Sequence, residues 1–278
     1  RNAKKSAPFG SCHITKDGIR EYDRMVAIQE RVHSLYDSDE LSLALQPQYN
    51  AEAEIVGFEA LIRWYSVEFG WVSPADFIPI AEENGAIHSI GEWVVEAACD
   101  ALLELMNHGH HRTISINVSA RQIVAPEFVL FLNRTLKKKG VPAQLLMLEL
   151  TETALVSDMS QVRSIMLELA KLGFRFSVDD FGTGYSSLSY LKRYPLSILK
   201  IDKSFVNEMA PGNANEALVK TTITLASSLK MSCVAEGVET KEQAEELLRN
   251  ACYFHQGYYY AKPCTANDVE ALLFKTWN

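Results

Sequence analysis

Two adjacent aspartates, Asp179 and Asp180, end an apolar, β-prone run that begins at Phe174. Like charges side by side at the end of a buried strand repel each other, and burying them unpaired costs roughly several kcal/mol. A pair of divalent cations would balance the two carboxylates, whereas a solvated turn carrying two aspartates would need no partner. The dipeptide alone leaves both interpretations open.

Ionisable or amide side chains also lie near the ends of other short apolar runs. In chain order they are Glu59, Arg63, Asn117, Glu149, Glu152, Asp179, Asp180, Lys200, Asp202, Glu236, Glu239 and Gln256. A single residue of this kind is commonly a rim residue or one half of an ion pair. Seven successive runs with such a group at the same end favour one shared site, because strand ends converge on one mouth in a closed barrel.

Apolar spacing predicts the elements that would position these side chains. Strands are predicted over 42–49, 55–64, 112–118, 145–151, 174–180, 197–202, 231–236 and 254–260. Helices are predicted over 89–107, 119–138, 158–172, 213–230, 240–250 and 266–275, after a lead-in helix over 24–36. Eight strands alternating with helices in roughly 235 residues is the count and size of an α/β (β/α)₈ barrel. A doubly wound open sheet is the competing architecture, which the strand count does not exclude.

The strand-end groups favour a particular metal chemistry. Five of them are hard oxygen donors, with no Cys or His among them: Glu59, Asn117, Glu149, Asp179 and Asp180. Such donors favour Mg²⁺ or Mn²⁺ over structural zinc. Two such ions about 3.5–4 Å apart suit in-line displacement at phosphorus. In that chemistry Lys200 would orient water or stabilise charge, Glu236 would act as a base or support a ligand, and Arg63 would bind a phosphate oxygen.

Composition sets outer bounds on the function. The chain has 278 residues, of which 47% are hydrophobic and 22% charged, which is ordinary for a globular domain. A net charge of −8 argues against binding a nucleic-acid polymer. Five scattered cysteines without a CxxC pair predict reduced thiols and a cytoplasmic location. No apolar run approaches about 18 residues, so no membrane span is predicted. Because the chain starts at Arg1, we expect it to belong to a longer protein, which other segments could anchor to a membrane.

The segment Gly182-Thr183-Gly184-Tyr185-Ser186-Ser187 follows the aspartate pair. It is a weak candidate for a phosphate-binding loop, because no lysine follows as in a P-loop. A mobile loop beside the metals is one alternative. A plain turn into a helix capped by Ser186 or Ser187 is another, and the two alternatives are compatible.

Taken together and in order, these motifs resemble the EAL-domain cyclic di-GMP phosphodiesterases over about residues 40–275. The matching motifs are Gln46-Pro47, Phe58-Glu59-Ala60-Leu61-Ile62-Arg63-Trp64, Asn117-Val118-Ser119, Glu149-Leu150-Thr151-Glu152, Asp179-Asp180-Phe181-Gly182-Thr183-Gly184-Tyr185-Ser186-Ser187-Leu188, Lys200-Ile201-Asp202, Ala235-Glu236-Gly237-Val238-Glu239-Thr240 and Gln256-Gly257-Tyr258. The resemblance implies a barrel whose first strand runs opposite to the others. It also implies hydrolysis of cyclic di-GMP to linear pGpG with two Mg²⁺ or Mn²⁺ ions.

The resemblance further implies a role for each matching residue. The implied metal ligands, with Asp179 shared between the two ions, are Glu59, Asn117, Glu149, Asp179, Asp180 and Glu236. The implied catalytic residues are Glu59, Lys200, Glu236 and Glu152, of which Glu152 steadies the loop after Asp180. The implied substrate contacts are Gln46, Leu61, Arg63, Asp202, Glu239 and Gln256. Because no catalytic position is substituted, an active enzyme is favoured over a non-catalytic cyclic di-GMP receptor; a protein-interaction scaffold is the third hypothesis.

Residues 39–278 are predicted to form the EAL barrel. Residues 1–38 resemble the end of a GGDEF-like, diguanylate-cyclase-type domain and its joining helix, on the short match Asn2-Ala3-Lys4-Lys5-Ser6. By the same resemblance we expect a homodimer, and GGDEF-like and sensor domains upstream in the full-length protein.

Overall fold

The computed structural model describes residues 16–157, 159–182, 191–210 and 212–273. Its central feature is a nine-stranded sheet, of which eight strands close into a barrel. The strands are β1 (Leu41–Tyr49), β2 (Ile55–Ser66), β3 (Gly70–Val72), β4 (Thr113–Asn117), β5 (Leu146–Thr151), β6 (Arg175–Phe181), β7 (Leu196–Ile201), β8 (Ser232–Ala235) and β9 (Phe254–His255).

The first strand closes the barrel and runs against its neighbours. β1 pairs antiparallel with both β2 and β9, whereas β2, β4, β5, β6, β7, β8 and β9 pair in parallel in that order. β3 lies outside the closed ring and forms a hairpin with the end of β2. The predicted α/β barrel with an antiparallel first strand is therefore confirmed, and the open-sheet alternative is wrong.

Helices surround the barrel and alternate with its parallel strands. They are α1 (Lys16–Arg31), α2 (Pro74–Asn84), α3 (Ile87–Asn107), α4 (Ala120–Ile123), α5 (Pro126–Lys139), α6 (Glu152–Ser157), α7 (Met159–Lys171), α8 (Lys203–Asn207), α9 (Ala214–Ser228), α10 (Lys241–Arg249) and α11 (Ala266–Leu273). Local sequence accounts for several starts, because Ser73 caps α2 ahead of Pro74 and Thr240 forms a capping box with Gln243. No helix in the described part of the chain is long and apolar enough to cross a membrane.

Several element boundaries differ from the sequence prediction. The lead-in helix already begins at Lys16, and the single helix expected over 119–138 is two helices, because Pro126 starts a new one. β9 ends at His255 and not at residue 260. There Gly257 lies so close to the segment after β8 that an added Cβ would be 2.1 Å from the Val238 carbonyl oxygen. The hairpin strand β3 and the helices α2, α6 and α8 were not predicted.

A second hydrophobic cluster lies outside the barrel, where α1 and α2 pack on β1 and β2. We call it the α1 docking cluster; its fully buried members include Ile28, Val32, Leu35, Trp64 and Phe77. At its edge the Trp64 indole N–H donates to Glu40 Oε2 at 2.8 Å, and Arg31 Nη2 lies 2.7 Å from Glu40 Oε1. The polar groups at this edge are thus satisfied.

Candidate metal centre

Lys200 lies at the centre of the barrel mouth, where the parallel strands end. Its ammonium nitrogen, Nζ, is 2.6 Å from Glu149 Oε2 and 2.6 Å from Glu236 Oε1. The same nitrogen is 3.3 Å from Glu59 Oε2 and 3.3 Å from Asp179 Oδ1. Four carboxylates face one ammonium group, so the cluster has an excess of negative charge. The Lys200 side chain is only 1% exposed, and water therefore screens this charge poorly.

Strand register brings the cluster together. Glu59 is on β2, Glu149 on β5 and Asp179 on β6, and all three point into the barrel, while Glu236 directly follows β8. Asn117 ends β4 and pairs with Glu149 across the β4–β5 ladder. The prediction that the strand-end groups converge at one mouth is confirmed for these residues.

Asp179 belongs to two groups of carboxylates. Glu59, Glu149 and Asp179 form one group, and Asp179, Asp180 and Glu236 form the other, with the oxygen atoms of each group within 4.8 Å of one another. Neighbouring residues of a regular strand point to opposite faces. Here a register shift between Val178 and Phe181, together with a φ of 53° at Asp180, breaks that alternation. The bulge lets both aspartates face the mouth.

The donor set fits hard divalent cations. Both groups consist of carboxylates, which suit Mg²⁺ or Mn²⁺. Asn117 Nδ2 donates a hydrogen bond to Glu59 Oε1 at 3.0 Å. In this orientation the Asn117 Oδ1 oxygen is a further possible ligand for a cation. The excess negative charge around Lys200 also favours cation binding, because cations would neutralise that charge. The mouth therefore has the composition of a two-ion site with Asp179 shared.

Burial raises the pKa of three carboxyl groups at the mouth, and the pKa of Glu236 lies well above its ordinary value. The pKa of Glu149 rises to about 7, because burial disfavours its charge and, together with repulsion from Glu59 and Asp179, outweighs the attraction of Lys200. The pKa of Asp180 rises to about 6, again through burial first and then through the charges of Asp179 and Asp202. These carboxyl groups become better ligands as the pH rises.

The pKa values of Glu59 and Lys200 shift in the directions that favour the charged form of each side chain. Burial alone would raise the pKa of Glu59, but the Lys200 charge and hydrogen bonds from Gln256 and Asn117 outweigh it and lower that pKa. Burial would likewise lower the pKa of Lys200, but Asp179 and the other carboxylates raise it well above its ordinary value. Lys200 is therefore a permanent positive charge and a hydrogen-bond donor.

A layer of glutamines lies beneath Glu59. Gln256 Nε2 donates to Glu59 Oε2 at 2.6 Å and to Gln46 Oε1 at 3.2 Å. Gln48 Nε2 donates in turn to Gln256 Oε1 at 2.9 Å. Sequence reasoning identified Gln46 and Gln256 but missed Gln48. The available signal was the period of two along β1, which puts Gln46 and Gln48 on the same face.

Glu152 contacts the start of the loop that follows the aspartate pair. The backbone N–H of Gly182 donates to Glu152 Oε2 at 3.3 Å, and Glu152 itself is buried at the start of α6. Gly182 has a φ of +97°, which favours glycine at this point of the turn. The remainder of the segment, including Ser186 and Ser187, lies outside the described residues, so the interpretations of that loop stay predictions.

A cavity of about 560 Å³ opens beside the carboxylate cluster. Leu61 and Arg63 line it, together with Asn117 and Glu149 at the cluster end and apolar residues of α2 and α3 at the other. Arg63 Nη1 donates to the carbonyl oxygen of Ile62 at 3.0 Å. A volume of this size and a mainly apolar lining are typical of small-molecule sites.

The two other predicted substrate residues lie away from this cavity. Asp202 caps α8 by accepting from Ser204 N at 2.9 Å, and it lies beside Asp180. Glu239 is exposed, and its backbone N–H donates to Gln243 Oε1 at 2.7 Å at the start of α10. Within the part of the chain that the structure describes, neither residue lines the cavity.

Fold and site together define a (β/α)₈-type barrel with an acidic mouth fit for two divalent cations. Comparison with known proteins assigns the family: residues 27–263 match the EAL domain model. The chain belongs to the EAL-domain family.

Two curated relatives come from Pseudomonas aeruginosa. The bifunctional diguanylate cyclase/cyclic di-GMP phosphodiesterase MucR is 38% identical over 272 residues, which cover 97% of this chain and 40% of MucR. The cyclic di-GMP phosphodiesterase NbdA is 36% identical over 248 residues, which cover 88% of this chain and 32% of NbdA. The chain thus spans about a third to two fifths of the length of these relatives.

A solved structure described as the PaMucR phosphodiesterase in a c-di-GMP complex is also similar. It matches this chain with a TM-score of 0.84 and 36% sequence identity. The match covers 87% of this chain and 99% of that one. The barrel described above therefore has the fold of that protein.

Proposed function

We propose that this chain is a metal-dependent phosphodiesterase that hydrolyses cyclic di-GMP to linear pGpG. The observation that carries the proposal is the complete set of carboxylates around Lys200, with Asp179 in both oxygen groups. The names of MucR and NbdA support the substrate and the reaction.

The proposed metal site divides between the two carboxylate groups. Glu59, Asn117, Glu149 and Asp179 would hold one ion, and Asp179, Asp180 and Glu236 the other. When bound, two Mg²⁺ or Mn²⁺ ions would lower the pKa of a water molecule and neutralise charge on the phosphoryl oxygens.

Lys200 and Glu236 are proposed to handle the attacking water. Lys200 keeps its proton, because carboxylates surround it, and so it acts as a donor that orients water or stabilises negative charge. Among the four carboxylates around Lys200, Glu236 has the most exposed side chain, at 16%. This exposure makes Glu236 the carboxylate best placed to accept a proton from water.

Substrate binding is assigned to the cavity and its rim. Arg63 would pair with a non-bridging phosphate oxygen, and Leu61 would pack against a base. The apolar lining from α2 and α3 suits the faces of a purine. The remaining proposed contacts are Gln46 and Gln256 below Glu59, and Asp202 and Glu239 at the rim.

The wider context is also proposed. The proposal includes a boundary between residues 38 and 39, a GGDEF-like domain and a sensor upstream, a homodimer and a cytoplasmic location. Because the chain spans only about a third to two fifths of the length of these relatives, the activity of a whole protein is itself part of this proposal.

Product analysis tests the proposed activity. Purified protein is incubated with cyclic di-GMP and Mg²⁺ or Mn²⁺, with and without a chelator, and the products are separated by chromatography. We expect pGpG only in the samples without chelator. Binding of intact cyclic di-GMP without turnover would contradict the enzyme and favour a receptor; no binding at all would favour a scaffold.

A further inference from the structure

The amide of Gln256 has hydrogen-bond partners on both of its ends. Its Nε2 donates to Glu59 Oε2 and to Gln46 Oε1, and its Oε1 accepts from Gln48 Nε2. All four of these side chains are buried, at 8% exposure or less. Water is therefore a poor substitute for any of them.

The Gln48 amide packs against the backbone of β2. Gln48 of β1 pairs with Gly57 of β2. A Cβ added at Gly57 would lie 2.5 Å from Thr113 Oγ1, whereas its 3.4 Å to Gln48 Oε1 would be an ordinary contact. Thr113 therefore requires the glycine, and the Gln48 amide lies next to it.

The orientation of the Gln256 amide matters because its two ends have opposite polarity. With Oε1 turned to Gln48, the NH₂ group faces the Glu59 carboxylate and donates to it. If the amide rotated by half a turn, its carbonyl oxygen would face that carboxylate and repel it. Glu59 and Gln46 favour the NH₂ group at their end, and the Gln48 donor, which needs the carbonyl oxygen at the other end, reinforces the same orientation.

We propose that Gln48 is a positioning residue for this site: it holds the Gln256 amide in the orientation that donates to Glu59. Among the residues that the structure describes, the Gln48 side chain donates to Gln256 and does not line the cavity, so it acts through Gln256. Partners that orient metal ligands commonly change metal affinity when they are removed. The inference rests on the proposed function only for its consequence in turnover.

A double-mutant cycle tests this role. Gln48→Met, Gln256→Met and the double variant keep side-chain length but remove the amides, and Mn²⁺ affinity is measured by calorimetry without substrate. We expect Gln256→Met to weaken Mn²⁺ binding by about 10-fold and Gln48→Met by about 3-fold. The double variant should be no weaker than Gln256→Met, because Gln48 has no other route to the site.

Two outcomes would overturn the inference. Wild-type affinity in Gln48→Met would do so, as would losses that multiply in the double variant, since these indicate a general structural effect. Gln29→Met on the exposed side of α1 is the matched control and should bind Mn²⁺ as the wild type does. If Gln48→Met does not fold, Gln48→Asn replaces it, because the shorter amide keeps its polarity but does not reach Gln256.

Hydrolysis of cyclic di-GMP is measured separately on the same proteins. Wild-type protein that binds Mn²⁺ without turnover would contradict the proposed enzyme activity. The double-mutant cycle of Mn²⁺ affinities would still test the role of Gln48. Wild-type protein without affinity for Mn²⁺ would contradict both proposals.

Discussion

The barrel mouth and the α1 docking cluster are both buried, but they use burial in opposite ways. In the docking cluster, Ile28, Val32 and Trp64 bury apolar surface, which stabilises the fold. At the mouth, Lys200 and Glu149 are equally buried, at 1% exposure, yet Lys200 carries a charge and Glu149 lies beside other carboxylates. Buried charge is weak support for stability and is retained where it serves another purpose. On the proposed function, the mouth binds cations at the expense of stability.

The largest expected effect separates function from folding at the mouth. Glu59→Ala should reduce hydrolysis of cyclic di-GMP by on the order of 10³-fold, because it removes a ligand oxygen and a hydrogen-bond acceptor. Circular dichroism should remain that of the wild type. Glu30→Ala, on the exposed side of α1, is the matched control and should retain full activity. Loss of the folded spectrum in Glu59→Ala would show that Glu59 supports the fold, and would contradict the contrast between the mouth and the α1 docking cluster.

A substitution in the α1 docking cluster should lower stability and leave hydrolysis nearly unchanged. Ile28→Ala removes a fully buried side chain and should lower the free energy of unfolding by about 2–4 kcal/mol. Denaturant titration measures this loss. Hydrolysis per folded molecule should stay within about twofold of the wild type, because α1 does not line the cavity. Val26→Ala on the same helix, 37% exposed, should change stability little.

Neutralising a carboxyl group at the mouth should stabilise the metal-free protein. The pKa of Glu149 rises to about 7 in the folded state, so between pH 4.5 and 7 the folded chain holds a proton that the unfolded chain releases. Stability from this group is therefore lost as the pH rises through that window. Glu149→Gln should unfold with a free energy about 1–3 kcal/mol higher than the wild type at pH 8 in chelator, with the difference disappearing near pH 5. A destabilised variant at pH 8 would show that the ionised Glu149 supports the fold.

Metal affinity should decrease with acidity. A carboxylate must lose its proton to bind a cation, and the pKa values of Glu149 and Asp180 are about 7 and about 6. Lowering the pH from 8 to 6 should weaken Mn²⁺ binding by about 10-fold, with protons released on binding. Calorimetry in buffers of different ionisation enthalpy measures both quantities. An affinity that stays constant over this range would exclude these groups as ligands.

Much of the site follows from the sequence, because strand-end position is a local property. Apolar runs place Asn117 and Glu149 near the carboxyl ends of β4 and β5, and Glu59 near the end of the part of β2 that pairs with β4; barrel closure brings these positions together. The docking cluster was harder to predict. Its helix α2 and hairpin strand β3 are short and begin beside Pro74 and Gly70, where periodicity gives no signal.

Two features of the mouth depend on tertiary structure and have no local signature. The bulge at Asp180, with its φ of 53°, follows from how β6 fits against β7. The role of Gln48 depends on contact with Gln256, which is 208 residues away in sequence. Period-two alternation indicates that Gln48 points inward, but only the folded barrel identifies its partner.

Counting bound Mn²⁺ ions tests the two-ion mouth most directly. Electron paramagnetic resonance of saturated protein should give two Mn²⁺ ions per wild-type chain. Because Asp179 belongs to both carboxylate groups, Asp179→Ala should lose both ions, whereas Asp180→Ala should keep one. Two ions bound by a folded Asp179→Ala variant, or none bound by the wild type, would contradict the account.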